Sequence, residues 1–235
     1  DALRFALTSG VAAGSDMRLN ESKMEASRNF ANKLWNAARF VLANVDGADI
    51  PARWSAPPPA EHLEDRWIVS RLNSVVEQVG GQLADHQYGE AQRALYDFLW
   101  GEYCDWYLEM AKIRLRGEDG PSPVPVLVFV LEKVLRLLHP FMPFITEEIW
   151  TSMRDVLPAE AGAPAALIVA PYPESDDALN DPAAEEEVGA IVEIVRGIRN
   201  VRAEFRIDAA RRIGAVVNAP EIAHAVRGES EAIKV

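Results

Sequence analysis

The sequence is poor in the residues that most often carry chemistry or cross-links, with one cysteine, Cys104, and four histidines among 235 residues. A single cysteine excludes an intramolecular disulfide and a thiolate metal cluster, a pattern typical of a reducing compartment, so we expect a cytoplasmic protein. The histidines lie far apart, and there is no Gly-rich phosphate loop, His-Glu-x-x-His pattern or nucleophile elbow. We therefore predict neither a catalytic nor a metal site in this chain.

Long uninterrupted apolar runs are also missing. The most apolar stretch, residues 124–141, contains Glu132, Lys133 and Arg136, whose charges would be costly in hydrocarbon. A buried helix is therefore expected there rather than a membrane span. The chain opens at Asp1 without an initiator Met, a signal peptide is not expected, and the first residues are typical of a helix interior. We expect a fragment of a longer polypeptide.

Positive charge is scarce overall, because 24 Lys and Arg face 36 Asp and Glu, which gives a net charge of −12. The distribution is uneven. Residues 174–187 contain acidic residues and no basic one, whereas basic residues outnumber acidic ones in 18–39 and in 196–212. Overall acidity disfavours indiscriminate nucleic-acid binding but permits a local site.

Hydrophobic periodicity predicts four long helices in the first two-thirds of the chain. They are expected at about 20–45, 61–86, 88–116 and 123–154, and the last should break at the His-Pro-Phe-Met-Pro sequence of 139–143. Pro- and Gly-rich loops separate them. Amphipathic helices with short connections predict an antiparallel bundle.

The pattern changes after this bundle. The apolar run at 166–170 lies between prolines and predicts a strand, a helix is expected at 183–205, and a second strand is expected at 213–217. The predicted fold is therefore mainly α, an antiparallel helix bundle followed by a small α/β C-terminal subdomain.

The helix predicted at 20–45 carries two stripes of side chains. Its core stripe consists of Phe30, Leu34, Ala37, Val41 and Val45. Nearly opposite lies a second set, here called the polar stripe, which consists of Asn29, Asn32, Lys33, Asn36, Arg39 and Phe40. Amides can pair with a base edge, a lysine attracts phosphate and a ring offers a stacking face, which together suit single-stranded RNA. The residues alone favour the other interpretation, in which Phe40 packs on a bundle helix and the polar groups face water.

Two further clusters stand out. The helix at 88–116 is rich in aromatic residues, which at this density predict core packing with the polar ring atoms satisfied at its edge. The helix at 183–205 carries a basic ridge, which consists of Arg196, Arg199, Arg202 and Arg206. This ridge is either a phosphate-contacting surface or a solvated face paired with the acidic segment, and the sequence leaves both open.

Several segments together resemble one family. They are 28–42 (RNFANKLWNAARFVL), 65–72 (DRWIVSRL), 102–109 (EYCDWYLE), 139–150 (HPFMPFITEEIW) and 196–204 (RGIRNVRAE). This combination resembles the valyl-tRNA synthetases, which are class I aminoacyl-tRNA synthetases. The opening DALR at 1–4 resembles the passage from their catalytic core to their helical anticodon-binding domain.

The resemblance implies that the chain binds the anticodon loop of a valine-accepting tRNA, with neither DNA nor a membrane as a partner. The polar stripe would then read the anticodon, with Phe40 stacking on a base. Backbone contacts are implied for Arg18, Lys23 and the basic ridge. Ser22 occupies a position at which some relatives have a basic residue. The tRNA contact expected at that position would then be made by the adjacent Lys23 or by Arg18.

In this family the whole enzyme activates valine with ATP and Mg²⁺ and transfers it to tRNA. Sequences resembling its His-Ile-Gly-His and Lys-Met-Ser-Lys-Ser signatures are absent, so this chain is expected to bind no cofactor, ATP and Mg²⁺ belonging to a catalytic domain outside it. The expected division is 1–15 (junction), 16–158 (anticodon-binding bundle) and 159–235 (α/β subdomain). Two alternatives stay open: an isoleucyl or leucyl anticodon domain, and a helical protein-interaction module with no role in RNA binding.

Overall fold

The computed structural model of the protein describes residues 1–9, 20–50, 56–117, 120–157, 164–208, 211–220, 222–228 and 233. Its α-helices are α1 (Ala2–Thr8), α2 (Glu21–Leu42), α3 (Leu63–Ala84), α4 (Tyr88–Asp97), α5 (Leu108–Arg116), α6 (Val124–Leu138), α7 (Pro143–Val156), α8 (Pro182–Glu204) and α9 (Ala223–Gly228). Residues Phe98–Tyr107 form a π-helical stretch that joins α4 and α5. Among these residues no helix combines the length and the apolar character that a membrane crossing needs.

The helix boundaries follow from local chemistry. The Asn20 side chain accepts a hydrogen bond from Lys23 N at 2.8 Å and so caps α2. The turn after this helix contains Gly47 at a φ of +78°, a conformation that favours glycine. Pro143 occupies the first turn of α7, where its missing N–H costs nothing, and it separates α7 from α6 as the sequence predicts.

The predicted helix bundle is confirmed. Every residue of the core stripe is buried, with an exposure of 7% or less, and α2 packs between α1, α6, α7 and the π-helical stretch. The Phe30 ring stacks between Phe5, at a centroid distance of 4.8 Å, and Tyr96, at 4.9 Å. Burying rings of this size is a main source of bundle stability.

The aromatic residues at 96–107 are divided between the core and its edge: three are buried and three are partly buried and pack against the core. The buried ones are Phe98, Tyr103 and Tyr107, and the others are Tyr96, Trp100 and Trp106. Tyr103 and Tyr107 are fully buried, and each hydroxyl has a partner: Tyr103 donates to the Leu127 carbonyl at 2.9 Å, and Tyr107 donates to Asp65 Oδ1 at 2.7 Å. Burial raises the pKa of both phenols well above the ordinary value. Both rings are therefore neutral, hydrogen-bonded parts of the core.

One end of the bundle contains buried charges. Arg114 Nη1 lies 2.8 Å from Glu64 Oε1 and 2.7 Å from Asp65 Oδ1, and both carboxylate side chains are only 3% exposed. Its other terminal nitrogen donates to the Pro121 carbonyl at 2.8 Å. Arg114 thus ties α5 to the start of α3 and to the turn before α6.

The predicted α/β subdomain is not found, because the described residues contain no strand. Residues Leu167–Val169 form a 3₁₀ turn instead, in which Leu167 is buried while Ile168 and Val169 are exposed. The Leu167 N–H donates to Glu147 Oε2 at 2.9 Å, so this run docks on α7 rather than pairing with another strand. Residues 213–217 are irregular and exposed. A strand needs a ladder partner, and neither run has one here.

Helix α8 lies against α3 through a polar clamp. Ser70 donates to Glu185 Oε1 at 2.5 Å and accepts from Asp181 N at 2.8 Å. Asn73 exchanges hydrogen bonds with the backbone of Asp176 at 3.0 and 2.9 Å. These bonds fix the turn that leads into α8, which carries the basic ridge. The division of the chain near residue 158 stays a prediction.

Candidate nucleic-acid interface

The polar stripe lies along the outer side of α2, opposite its core stripe. Asn29, Asn32, Asn36 and Arg39 are exposed, while Lys33 and Phe40 are half-buried. Because a continuous helix repeats every 3.6 residues, the six side chains form one surface about three turns long. Neither half-buried side chain lies free in water: each contacts the helix that runs alongside α2.

Lys33 is held by the π-helical stretch. Its Nζ lies 2.7 Å from Asp105 Oδ1 and 4.7 Å from the centre of the Trp100 ring. The pair is partly exposed, with 31% of the lysine side chain and 45% of the aspartate side chain accessible. An anion that binds Lys33 therefore has to share it with Asp105 or displace it.

Phe40 lies about two turns of α2 beyond Lys33, near α5. Lys112 Nζ lies 5.4 Å from the centre of its ring and also 2.6 Å from Glu109 Oε1. The Phe40 carbonyl accepts from Asn44 Nδ2 at 2.8 Å, which closes the last turn of α2. The ring is thus fixed at the edge of the bundle, with a cation beside it.

A groove of about 450 Å³ opens beside the C-terminal half of the polar stripe. It lies between α2 and α7, and its lining consists of Trp35, Asn36, Ala38, Arg39, Phe40, Leu42, Ala43, Ile149 and Ser152. Ring, amide and guanidinium groups meet aliphatic side chains there. A cavity of this size accommodates a nucleobase with its sugar, since small-molecule sites start at about 300 Å³.

Sequence reasoning missed four residues of this surface: Trp35, Asp105, Lys112 and Ile149. Trp35 adjoins Asn36 in the sequence and could have been found as a second aromatic side chain on α2. Asp105 lies 72 positions from Lys33, and the other two also lie on distant helices. No local spacing predicts such contacts, because they depend on how the helices pack.

The start of α2 offers less than the sequence predicts. Lys23 Nζ donates to the Ser9 carbonyl at 2.6 Å and so ties α2 to the end of α1. Ser22 Oγ donates to Asn20 Oδ1 at 2.9 Å within the N-terminal cap. Arg18 lies outside the described residues. The structure therefore places Lys23 in a contact with the backbone at the end of α1.

The basic ridge on α8 is partly occupied by internal contacts. Arg196 pairs with Glu193 at 2.9 Å, and the Arg199 guanidinium lies 5.4 Å from the centre of the Trp106 ring. Arg202 donates to the carbonyls of residues 208 and 211, at 2.9 and 3.1 Å, beyond the end of the helix. Arg206 is exposed with a φ of +48°. Within the described residues, Arg196, Arg199 and Arg206 form no ion pair with the acidic segment 174–187, which was one of the two interpretations of the ridge.

The polar stripe and the basic ridge flank the same π-helical stretch. Asp105 reaches α2, whereas its neighbour Trp106 reaches Arg199 of α8. Between the stretch, α3 and α8 lies a cleft of about 320 Å³. Arg71 crosses its floor with two hydrogen bonds to Glu102, at 2.8 and 3.0 Å, and the bond to Glu102 raises the pKa of this arginine further above its ordinary value.

The surface offers binding groups rather than reactive ones. Cys104 is buried, and this burial raises the pKa of its thiol to about 12, so it is not a nucleophile at neutral pH. Within the described part of the chain no three His, Cys, Asp or Glu side chains could hold a metal ion together. The polar stripe and the groove thus present amides, cations and rings along one face.

Comparisons with known proteins show the family to which the chain belongs. A family model described as "Anticodon-binding domain of tRNA ligase" matches residues 65–217. The chain is 53% identical over 224 residues to a valine–tRNA ligase of Dehalococcoides mccartyi (strain CBDB1), which covers 95% of this chain and 25% of that protein. It is 44% identical over 207 residues to the valine–tRNA ligase of Lactiplantibacillus plantarum, which covers 87% of this chain and 22% of that protein. The chain thus spans about a quarter of the length of these relatives.

A solved structure shares the fold. In the ternary complex LeuRS–tRNA–LeuAMS from Agrobacterium radiobacter K84, the similarity covers 77% of this chain and 20% of the other, with a TM-score of 0.59 and 19% identity. At this identity the likeness concerns the fold alone. The helical bundle and the family match lead to one conclusion: the chain belongs to the family of anticodon-binding domains of tRNA ligases.

Proposed function

We propose that this chain reads the anticodon of a valine-accepting tRNA as part of a valine–tRNA ligase. The polar stripe and the groove beside it hold unstacked bases of the anticodon loop. Phe40 supplies the stacking face, while Asn29, Asn32 and Asn36 hydrogen-bond base edges. Lys33 and Arg39 attract the backbone. The observation that carries the proposal is the 450 Å³ groove on the stripe, lined by Asn36, Arg39 and Phe40.

The chemistry of the groove fits single-stranded RNA. A loop base that leaves its stack needs a ring surface and a donor–acceptor pair, and the groove offers both on one helix. Arg39 is exposed beside it, so a phosphate can approach without first breaking an ion pair within the described residues. The net charge of −12 restricts binding to such local sites and disfavours indiscriminate binding along nucleic acid.

The choice of valine rests on the code and on the relatives. Valine codons begin with G and U and vary at the third base, so the anticodon ends in A and C and varies at its first position. A reader of this loop grips the second and third anticodon bases and tolerates the first. The curated relatives compared above are valine–tRNA ligases, which favours this anticodon over A-U, the ending of the isoleucine anticodon.

The rest of the proposed enzyme lies outside this chain. Activation of valine with ATP and Mg²⁺ is assigned to the catalytic part of the longer polypeptide, so no cofactor is proposed for these residues. The cytoplasm is the proposed compartment, because that is where aminoacylated tRNA is used. The basic ridge on α8 is proposed to contact the tRNA backbone. Arg199 and Arg206 are better candidates than Arg202, whose guanidinium holds two carbonyls.

Fluorescence anisotropy with an anticodon stem-loop tests the proposal. The loop ends in A-C, and control loops replace each of these two bases in turn, including the A-U ending. The protein should bind the A-C loop best. Phe40→Ala should weaken this binding by about 1–3 kcal/mol, the value of one base–aromatic stack, which is about five- to 150-fold in Kd.

A matched variant controls for the loss of an exposed ring. Phe144 on α7 is 72% exposed and does not line the groove, so Phe144→Ala should leave Kd unchanged. Equal losses in both variants would refute the assignment of Phe40. Tight binding of every loop would leave tRNA contact standing but exclude base reading by the polar stripe. The absence of salt-dependent binding to any of the loops would favour a protein-interaction module instead.

A further inference from the structure

The side chain of Phe40 is part of a three-residue unit with Lys112 and Glu109. The Lys112 ammonium lies 5.4 Å from the ring centre and forms a 2.6 Å ion pair with Glu109. Only 35% of the lysine side chain is exposed. The carboxylate therefore holds the cation beside the ring, where attraction to the π electrons stabilises the pair.

The same unit occurs a second time along the contact between α2 and its neighbour. There Lys33 lies 4.7 Å from the centre of the Trp100 ring and 2.7 Å from Asp105. In that unit the cation comes from α2 while the ring and the acid come from the π-helical stretch; in the other, α2 gives the ring. Repetition with exchanged roles indicates that cations beside rings are how these two helices are joined.

Lys112 contacts the Phe40 ring but does not line the groove. The groove is lined by residues of α2, of the turn after it and of α7, and Lys112 of α5 is not among them. The Phe40 ring therefore belongs to the lining and also contacts the ammonium, which lies 5.4 Å from its centre. The charge of Lys112 is partly satisfied by Glu109, as the charge of Lys33 is by Asp105.

We propose that Lys112 is a positioning residue for base binding, which holds the Phe40 ring in the orientation that it has in the lining of the groove. The proposal rests on the function proposed above. Without the cation the Phe40 ring loses one of its contacts and samples other rotamers. The free energy needed to order the ring then reduces the free energy gained when a base stacks on it. An exposed cation–π pair changes an equilibrium constant about two- to fivefold. Loss of the Lys112 cation should therefore raise Kd for the loop by the same factor.

A double-mutant cycle tests this mechanism on the anticodon stem-loop. The variants are Lys112→Met, Phe40→Leu and their combination, each also made with Glu109→Gln so that no carboxylate is left unpaired. Lys112→Met should raise Kd about two- to fivefold and leave the dependence on salt unchanged. In the Phe40→Leu protein the same substitution should have no further effect. Lys133→Met is the matched control, since this lysine lies 5.6 Å from the Phe129 ring, away from the groove.

A second measurement reports on the ring without RNA. With 4-fluorophenylalanine incorporated at position 40, Lys112→Met should shift or broaden the ¹⁹F resonance, and Lys133→Met should not. An unchanged resonance would overturn the proposal even if the loop binds. So would a salt slope reduced by about 0.7 in Lys112→Met, which would make Lys112 a direct phosphate contact. A wild-type protein that binds no loop but shows the ¹⁹F shift would refute the proposed function and retain the positioning role.

Discussion

Removal of Arg114 should unfold the bundle at a markedly lower temperature. Arg114→Met keeps the aliphatic stem but leaves Glu64 and Asp65, each with a side chain 3% exposed, without the cation that bridges them. Breaking a buried ion pair from one side costs about 3–5 kcal/mol. For a chain of this length 1 kcal/mol shifts Tm by about 2–4 °C, so the expected loss is about 6–20 °C.

The pH dependence of this loss gives an independent check. Burial raises the pKa of Asp65, while the hydrogen bond from Arg114, the charge of Arg114 and the bond from Tyr107 lower it. In the variant the two contributions of Arg114 disappear, so this pKa rises further. A carboxyl with a raised folded pKa contributes stability below its unfolded pKa, and that contribution is lost as the pH rises through the folded pKa. The deficit should therefore be smallest at acid pH and grow toward neutrality.

The assay is thermal unfolding followed by circular dichroism at 222 nm, between mildly acid and neutral pH. Arg93→Met is the matched control, because the pair of Arg93 with Asp97 is long, 3.7 Å, and mostly exposed. Such pairs contribute about 0–1 kcal/mol. A loss in Arg114→Met no larger than in this control, or a deficit that shrinks as the pH rises, would refute the account of the buried charges.

Two smaller effects follow from other parts of the bundle. Asn20→Ala removes the oxygen that caps α2 through Lys23 N and should cost about 0.5–2 kcal/mol in urea unfolding, whereas Asn20→Gly should cost only a few tenths. Equal losses in the two variants would contradict the cap. Cys104 should react with a thiol reagent at pH 8 only after unfolding, because burial raises its pKa to about 12; rapid labelling of the folded protein would contradict its burial.

Periodicity predicts the helical part of this fold well. The spacing of Phe30, Leu34 and Ala37 depends only on the helix repeat, and their burial follows once α2 forms. The same repeat places the six residues of the polar stripe on the outer side of α2. Such predictions need no knowledge of partners, because position along one helix determines the face on which a side chain lies.

The predictions that were wrong or incomplete concern residues whose structure depends on contacts with parts of the chain distant in sequence. The run at 166–170 has the composition of a strand, but only Leu167 finds a buried place, on α7, and the run then turns. A short apolar segment bounded by prolines can form either a strand or a turn, and the segments that pack beside it decide between the two. Lys33 shows the same limit for the site: its spacing places it on the polar stripe but does not predict its ion pair with Asp105, which lies 72 positions along the chain.

The π-helical stretch has a consequence for how this sequence can change. Asp105 and Trp106 are adjacent, yet one contacts α2 and the other contacts α8. Each residue added to a helix or removed from it turns everything beyond by about 100°. An insertion or deletion within Phe98–Tyr107 would therefore rotate both Glu109 and Lys112 away from Phe40. A substitution of Asp105 or of Trp106 removes the contact with one flank, whereas an insertion or deletion within the stretch disturbs the contacts with both flanks together.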